Sequence, residues 1–263
     1  MASLHFRDGH IEVPSANARM RLGENFHYLE KADARKVLER LWGNPPDDSV
    51  LGMVVPKDVP LTDENSWAAV VTYSDDGYIT DKDAASIDYD ELMADLKSDD
   101  VKDNEARAEE GYETLHLIGW AEEPRYDDVG KKLYWAKELK AADADINTLN
   151  YDIRVLGRRG YLGLNAVASM DDLPAVRRGM SELLQNVEFE RGARYADYNE
   201  SSDKLATYGL AALVGGGLAA KAGLFGKLAL VLLKAWKLVA LAFVALFAMI
   251  GKLFARKKRG VVR

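Results

Sequence analysis

The residues whose types could carry chemistry are four histidines, an acidic loop centred on glycine, a serine at a strand end, and a glycine triplet followed by a lysine. His5, His10, His27 and His116 are scattered, and no two stand four apart on a helical stretch, so the spacing of a histidine metal site is missing. "TYSDDGYITDKD" places Gly77 where a calcium loop needs its sixth residue. Thr72 then falls where the first Asp belongs and Asp83 replaces the closing Glu, so the stretch reads as a hairpin turn. No G-x-S-x-G occurs, and Ser169 in "NAVASMDD" reads as a helix cap. "LVGGGLAAKAG" lacks the Lys-Ser/Thr pair of a phosphate loop, because Lys221 is flanked by alanines. There is no cysteine, which excludes disulfides, thiolate ligands and a cysteine nucleophile. No catalytic residue, metal ligand or cofactor is assigned, and the pattern favours a non-enzymatic protein.

The densest polar and aromatic material lies in "GWAEEPRYDD", "YWAKEL" and "NYDIRVLGRRG". Trp120, Glu122, Tyr126, Asp127, Lys137, Asn150, Asp152, Arg154 and Arg158 converge if these strands are neighbours, as a face for a ligand or a partner. The competing reading is a solvated sheet face laced with cross-strand ion pairs.

These residues need a scaffold, and the periodicities supply one. "LHFRDGHIEV" and "ARMRL" alternate as short strands with a glycine turn between them. "EKADARKVLERLW" spaces Ala34, Val37, Leu38 and Leu41 as one helical face, and "GNPP" ends it. "LGMVV" and "WAAVVTYS" read as strands. Asp83 or Asp88 is expected to cap the next helix, which runs through "DELMADLKSDDVKDNEARAEE". "ETLHLIGWAE", "KLYWAKEL", "LNYDIRVLG" and "YLGLNAVAS" read as four more strands, with His116 pointing off the sheet. A last helix, "DDLPAVRRGMSELLQNV", carries Pro174 in its first turn, and "EFERG" closes as a short strand. The class is α+β: an antiparallel sheet flanked by helices, followed by a helical C-terminal membrane anchor.

Charge divides the chain in two. Of 35 Lys and Arg and 42 Asp and Glu, residues 205–263 hold ten of the former and none of the latter. That leaves a balance of −17 for residues 1–204 against +10 for the remainder. The acidic part is repelled by nucleic acid and by anionic lipid, and the basic part is drawn to a membrane surface. We therefore expect an acidic α+β domain over residues 1–200 and an apolar, basic membrane region of one or two helices over residues 201–263. Residues 205–220 carry no charge, and Gly215, Ala219 and Gly223 lie four apart, a spacing at which helices pack closely. In "KLALVLLKAWKLVALAFVALFAMIGKLFARKKRG" the cheapest placement puts 235–255 across the bilayer. Lys227, Lys234, Trp236 and Lys237 then lie toward one interface, and Lys252, Arg256, Lys257, Lys258 and Arg259 at the other. Expected partners are the lipid bilayer and either copies of the chain or another membrane protein, with no nucleic acid. Alternatives are an enzymatic or ligand-binding domain using the Trp120–Arg158 cluster, and a membrane-remodelling or pore-like homo-oligomer. The opening "MASLHFRDGH" shows no apolar run after a basic cluster, so no signal peptide is read there.

Several motifs together resemble a bacterial family of predicted membrane-anchored proteins of unknown function. They include "FHYLEKADARKVLERLWGNPP", "DDGYITDKDA", "GYETLHLIGWAEEPRYD", "TLNYDIRVLGRRGYLGLNAVASM" and "YADYNESSDKLATYGLAALVGGGLAAKAGLF". The resemblance covers roughly residues 10–230. Its members typically begin with an export signal, which implies a periplasmic domain at the inner membrane, whereas this chain starts directly at the domain. The family implies no activity and no catalytic residue. More loosely, "ASMDDLPAVRRGMSELLQNVEF" resembles the closing helix and strand of PsbP/Mog1-like domains.

Overall fold

The computed structural model describes residues 4–42, 46–63, 65–109, 114–141 and 145–215. Strand β1 (Phe6–Arg7) and β2 (His10–Val13) are separated by Gly9, whose φ of 75° is a left-handed turn that glycine adopts without strain. β3 (Ala18–Arg21) and β4 (Phe26–Glu30) follow, and then α1 (Lys31–Lys36), which continues as a wider π turn over Val37–Leu41. Gly43 and Pro45, expected to stop this helix, lie outside the described residues. β5 (Val50–Pro56) and β6 (Ala68–Ser74) precede the long α2 (Tyr89–Glu109). Four strands then run consecutively as β7 (Leu115–Asp127), β8 (Lys132–Ala141), β9 (Thr148–Leu156) and β10 (Tyr161–Ser169). α3 (Leu173–Gln185), β11 (Val187–Phe189) and α4 (Leu210–Val214) complete the described elements.

The strands form an eight-stranded sheet in the order β1-β4-β5-β6-β10-β9-β8-β7 and a three-stranded sheet in the order β11-β3-β2. Neighbouring strands pair antiparallel in both. The α+β class with an antiparallel sheet and flanking helices is therefore the observed one. A period of two decides which side chains face inward. On β9, Leu149, Tyr151, Ile153 and Val155 point to a core shared with Val176, Met180 and Leu183 of α3 and with Ile11, Val13, Met20, Val187 and Phe189 of the small sheet. Burying each of these larger side chains contributes about 1.5–3 kcal/mol.

The opposite face of the large sheet is covered in two patches. Under α1 and its π turn, Leu29, Val50, Met53, Val55 and Ala68 pack with Ala34 and Val37. At the other end, Leu133, Trp135 and Leu156 pack with Ile79, Tyr195, Leu210, Leu213 and Val214. α2 turns Leu92 and Met93 inward near its start, and two polar contacts tie it to edge strand β7 at both ends. Trp120 Nε1 donates to Tyr89 O at 3.3 Å. Asn104, buried, behaves like a neighbouring strand: its Oδ1 accepts from Leu115 N at 2.7 Å and its Nδ2 donates to Leu115 O at 2.9 Å.

Three expectations need correction. "DDGYIT" does not close a hairpin: β6 is flanked by β5 and β10, and the chain after Gly77 (φ 110°) leaves the sheet. Tyr78 instead makes a parallel bridge with Leu205. Next, the boundary at 200/201 cuts through the folded body, because Ala206, Leu210, Leu213 and Val214 are buried in the same core patch as Trp135. Finally, Gly215, read as a packing position for a partner helix, lies against the body's own α2: a Cβ there would sit 3.2 Å from Leu92 Cδ1. Ala219 and Gly223 lie outside the described residues, as do the expected interface residues Lys227, Lys234, Trp236, Lys237, Lys252, Arg256, Lys257, Lys258 and Arg259 and the anchor itself. Among the described residues, no helix is long and apolar enough to cross a membrane.

Candidate functional site

The nine residues of the expected polar face do not converge. Strand alternation divides them between the two faces of the sheet and its margins. Glu122 faces α3, opposite Ala136 and level with Tyr151. Lys137, Asn150, Asp152 and Arg154 sit on the other face, across β8 and β9. Trp120 and Tyr126 share that face but sink into the patch with Trp135 and Leu133. Asp127 shapes the β7–β8 turn by accepting from Val129 N at 3.1 Å and Gly130 N at 3.0 Å. Arg158 lies beyond the end of β9 and pairs with Asp203.

The strip on β8, β9 and β10 is bonded largely within itself, although the buried Arg154 Nε has no hydrogen-bond partner. Asp152, buried, accepts from Asn165 Nδ2 at 3.0 Å and pairs with Arg154 Nη2 at 2.8 Å. Asn165 also donates to Asn150 Oδ1 at 3.0 Å. The Arg154 guanidinium lies over the rings of Trp135 and Tyr161, 5.2 and 5.4 Å from their centroids. Gly163 makes the room: a Cβ there would come within 2.7 Å of Thr72 Oγ1 and 3.3 Å of Arg154 Nη1. Hydrogen bonds from Asn165 join β10 to β9 here, while the ion pair itself runs along β9 between Asp152 and Arg154.

A second polar constellation is a clasp between the loop after β6 and the segment before α4. Tyr78 N donates to Lys204 O and Ala206 N donates to Tyr78 O, both at 2.8 Å. Tyr208 OH donates to Asp76 Oδ2 at 2.7 Å, and Tyr195 OH to Ile79 O at 2.9 Å. Asp81 Oδ2 accepts from Tyr126 OH and Lys131 Nζ, each at 2.8 Å. Burial pushes the Asp81 carboxyl up, but those hydrogen bonds outweigh it and hold the group below its ordinary value. Arg158 binds Asp203 through two nitrogens at 2.6 and 2.9 Å. That contact and the Asn199 N–H hold the Asp203 carboxyl at about 2. The two aspartates proposed as alternative caps of one helix serve two. Asp88 accepts from Asp90 N and Glu91 N at 3.0 Å, starting α2. Asp83 accepts from Leu210 N at 3.2 Å and Ala211 N at 3.1 Å, starting α4.

An open groove of about 510 Å³ lies on the other face, between β7–β9 and α3. Its floor is Ile153, Met180 and Leu184 with the rings of Tyr134 and Tyr151, and its rim is Glu122, Glu123, Arg125, Arg177, Ser181 and Gln185. Tyr151 OH donates to Glu122 Oε2 at 2.9 Å, and Arg177 Nε binds Glu122 Oε1. Burial, with Glu122 next, raises the Tyr151 phenol well above its usual value, so it stays a neutral donor. Of the expected residues only Glu122 reaches this groove. Arg177 arrives from α3, three residues before Met180 and seven before Leu184 on an amphipathic helix, so its placement was readable from the helical period. Arg125 and Tyr134 are opposed across β7 and β8, a pairing that needs the register and its bulge. Size, an apolar floor and convergent polar groups make this groove the candidate binding site. Ser169 is the cap expected, accepting from Asp171 N at 3.2 Å. His116 is exposed, 3.7 Å from Asp100. Among the described residues no cluster of three metal-ligating side chains occurs.

The model of the family described as "Protein of unknown function (DUF2167)" matches residues 5–245. The chain belongs to this family. The match includes the folded body and extends thirty residues past Gly215, the last described. No curated protein matches the chain. Among solved structures, the chain is similar to cyanobacterial PsbP (CyanoP) from Synechocystis sp. PCC 6803, determined in solution, at 12% identity and a TM-score of 0.40. That likeness covers 72% of this chain and 94% of the other.

Proposed function

We propose that this DUF2167 member is a membrane-anchored, non-enzymatic binding protein of bacteria. Its acidic body is held at the inner membrane, on the periplasmic side, by the apolar and basic region beyond Gly215. The observation that carries this reading is the charge division: ten basic residues and no acid from residue 205 onward, with 238–251 free of charge. The extent of the family match supports it, since the common pattern continues into the apolar region as far as residue 245. So does the burial of α4, because its apolar residues are used by the body and 235–255 is then the longest stretch with an uncharged centre left for a span. An acidic body also disfavours nucleic acid as a partner.

The test is extraction of bacterial membranes carrying the full chain with alkaline carbonate. The protein is expected to stay in the pellet while a chain ending at Gly215 moves to the supernatant. Release of the full chain defeats the anchor, and protection of the body from protease added to spheroplasts defeats the periplasmic side. A second reading, binding of a small ligand by the body, is favoured by the groove at Glu122–Arg125, whose rim keeps polar groups without a partner among the described residues. It is compatible with the first and uses different residues.

A further inference from the structure

The polar groups around the groove differ in how far they are already engaged. Both carboxylate oxygens of Glu122 are occupied, one by Tyr151 and the other by Arg177. That bond uses one N–H of the Arg177 guanidinium; the side chain is 55% exposed, and its remaining N–H groups have no acceptor among the described residues. Arg125 lies over the Tyr134 ring, 5.1 Å from its centroid, and makes no ion pair among the described residues. Glu123 is exposed, with no hydrogen bond or ion pair among them, and also lines a shallow depression with Ala85–Asp90. The rim therefore offers two guanidiniums with free donors and one free carboxylate above an apolar floor.

Charge then selects the ligand class. The four ionised groups of the lining sum to zero, two carboxylates against two guanidiniums. A simple anion would bind the arginines but meet Glu123 and a body whose first 204 residues balance to −17. A simple cation would meet Arg125 and Arg177. An uncharged apolar molecule would cover the floor and strip water from three charged side chains without replacing it. A molecule with an anionic end, an apolar middle and an ammonium satisfies all of them. About 510 Å³ has room for a few amino-acid residues. We propose that the groove binds a short zwitterionic peptide with apolar side chains, its carboxylate on Arg125 and Arg177 and its ammonium on Glu123.

This proposal rests on the ligand-binding reading above. Its test is calorimetric titration of the full chain in lipid nanodiscs with Ala-Leu-Ala, its N-acetyl form, its C-amide form, and octanoate. The free tripeptide is expected to bind, and each cap to weaken binding at least tenfold. In Arg125→Gln the amide is expected to lose most of its disadvantage, and in Glu123→Gln the acetylated form to lose its own. Both positions are exposed, and unchanged circular dichroism will establish that the variants fold. Equal affinity for capped and free peptides overturns the proposal. Binding of octanoate without the tripeptide overturns the zwitterion and leaves the groove a ligand site. Binding of neither overturns both.

Discussion

The clasp at Asp76–Asp83 and the rim at Glu122–Arg125 are built from the same residue types: aspartate or glutamate, tyrosine, and lysine or arginine. In the clasp each named acid is answered from within the chain: Asp81 by Tyr126 and Lys131, Asp83 by the first amides of α4, and Asp203 by Arg158. On the rim, among the described residues, Glu122 is the carboxylate that is answered, while Arg125, Glu123 and most of Arg177 keep hydrogen-bonding capacity that none of those residues uses. Local position accounts for the difference. The clasp lies where a long-range crossing must be fixed, and its polar groups stand beside buried Leu210 and Leu213. The rim lies on an edge strand broken by bulges and Pro124, beside a helix that covers only part of the sheet. One set holds the body together; the other is available.

If that contrast is right, the largest effect should come from removing the apolar support of the clasp. Leu210→Ala, at a fully buried site, is expected to lower the body's stability by about 2–5 kcal/mol in chemical unfolding of the detergent-solubilised chain. A loss within about 0.5 kcal/mol would show that α4 merely rests on the body. A smaller effect should follow acid. Asp203 sits at about 2 when folded, against an ordinary 3.8, so the unfolded chain binds more protons between those values. Its contribution is complete above the higher value and disappears as pH falls through the lower. The gap in melting temperature between the native chain and Asp203→Asn should therefore narrow from about pH 4 to about pH 2, and a constant gap would exclude the Arg158 contact as its source. The smallest effect belongs to the rim: Arg125→Gln should shift stability by less than about 0.5 kcal/mol. A larger loss would mean that the rim is structural after all.

Much of the architecture was legible, and the reasons are local. Alternation marked β7 to β10, and Ser169 and Pro174 marked the approach to α3, because a strand face and a helix start are set within a few residues. What could not be read depends on distance. Gly77 promises a tight turn, but nothing near it announces that Tyr78 will bridge to Leu205. Asp83 looks like a cap for the helix just ahead, yet its amide partners are Leu210 and Ala211. Residues 205–214 look alike whether they face acyl chains or a protein core, since both media reward the absence of charge. For the groove, the sequence offered Glu122 but assigned it neighbours from the wrong face. One face of β9 carries Tyr151 and Ile153 and the other Asp152 and Arg154, so composition groups residues that the pleat separates.

Asp83 meets partners 127 and 128 residues further along the chain, and the Tyr195 hydroxyl spans 116 back to Ile79. On a ribosome, everything through β11 can be synthesised while the core beside Trp135 still lacks Leu210, Leu213 and Val214. Maturation of this face must therefore await the final stretch of the body, whose successor in translation is the most apolar part of the polypeptide. Until then the nascent chain exposes a hollow that a chaperone is better placed to shelter than water.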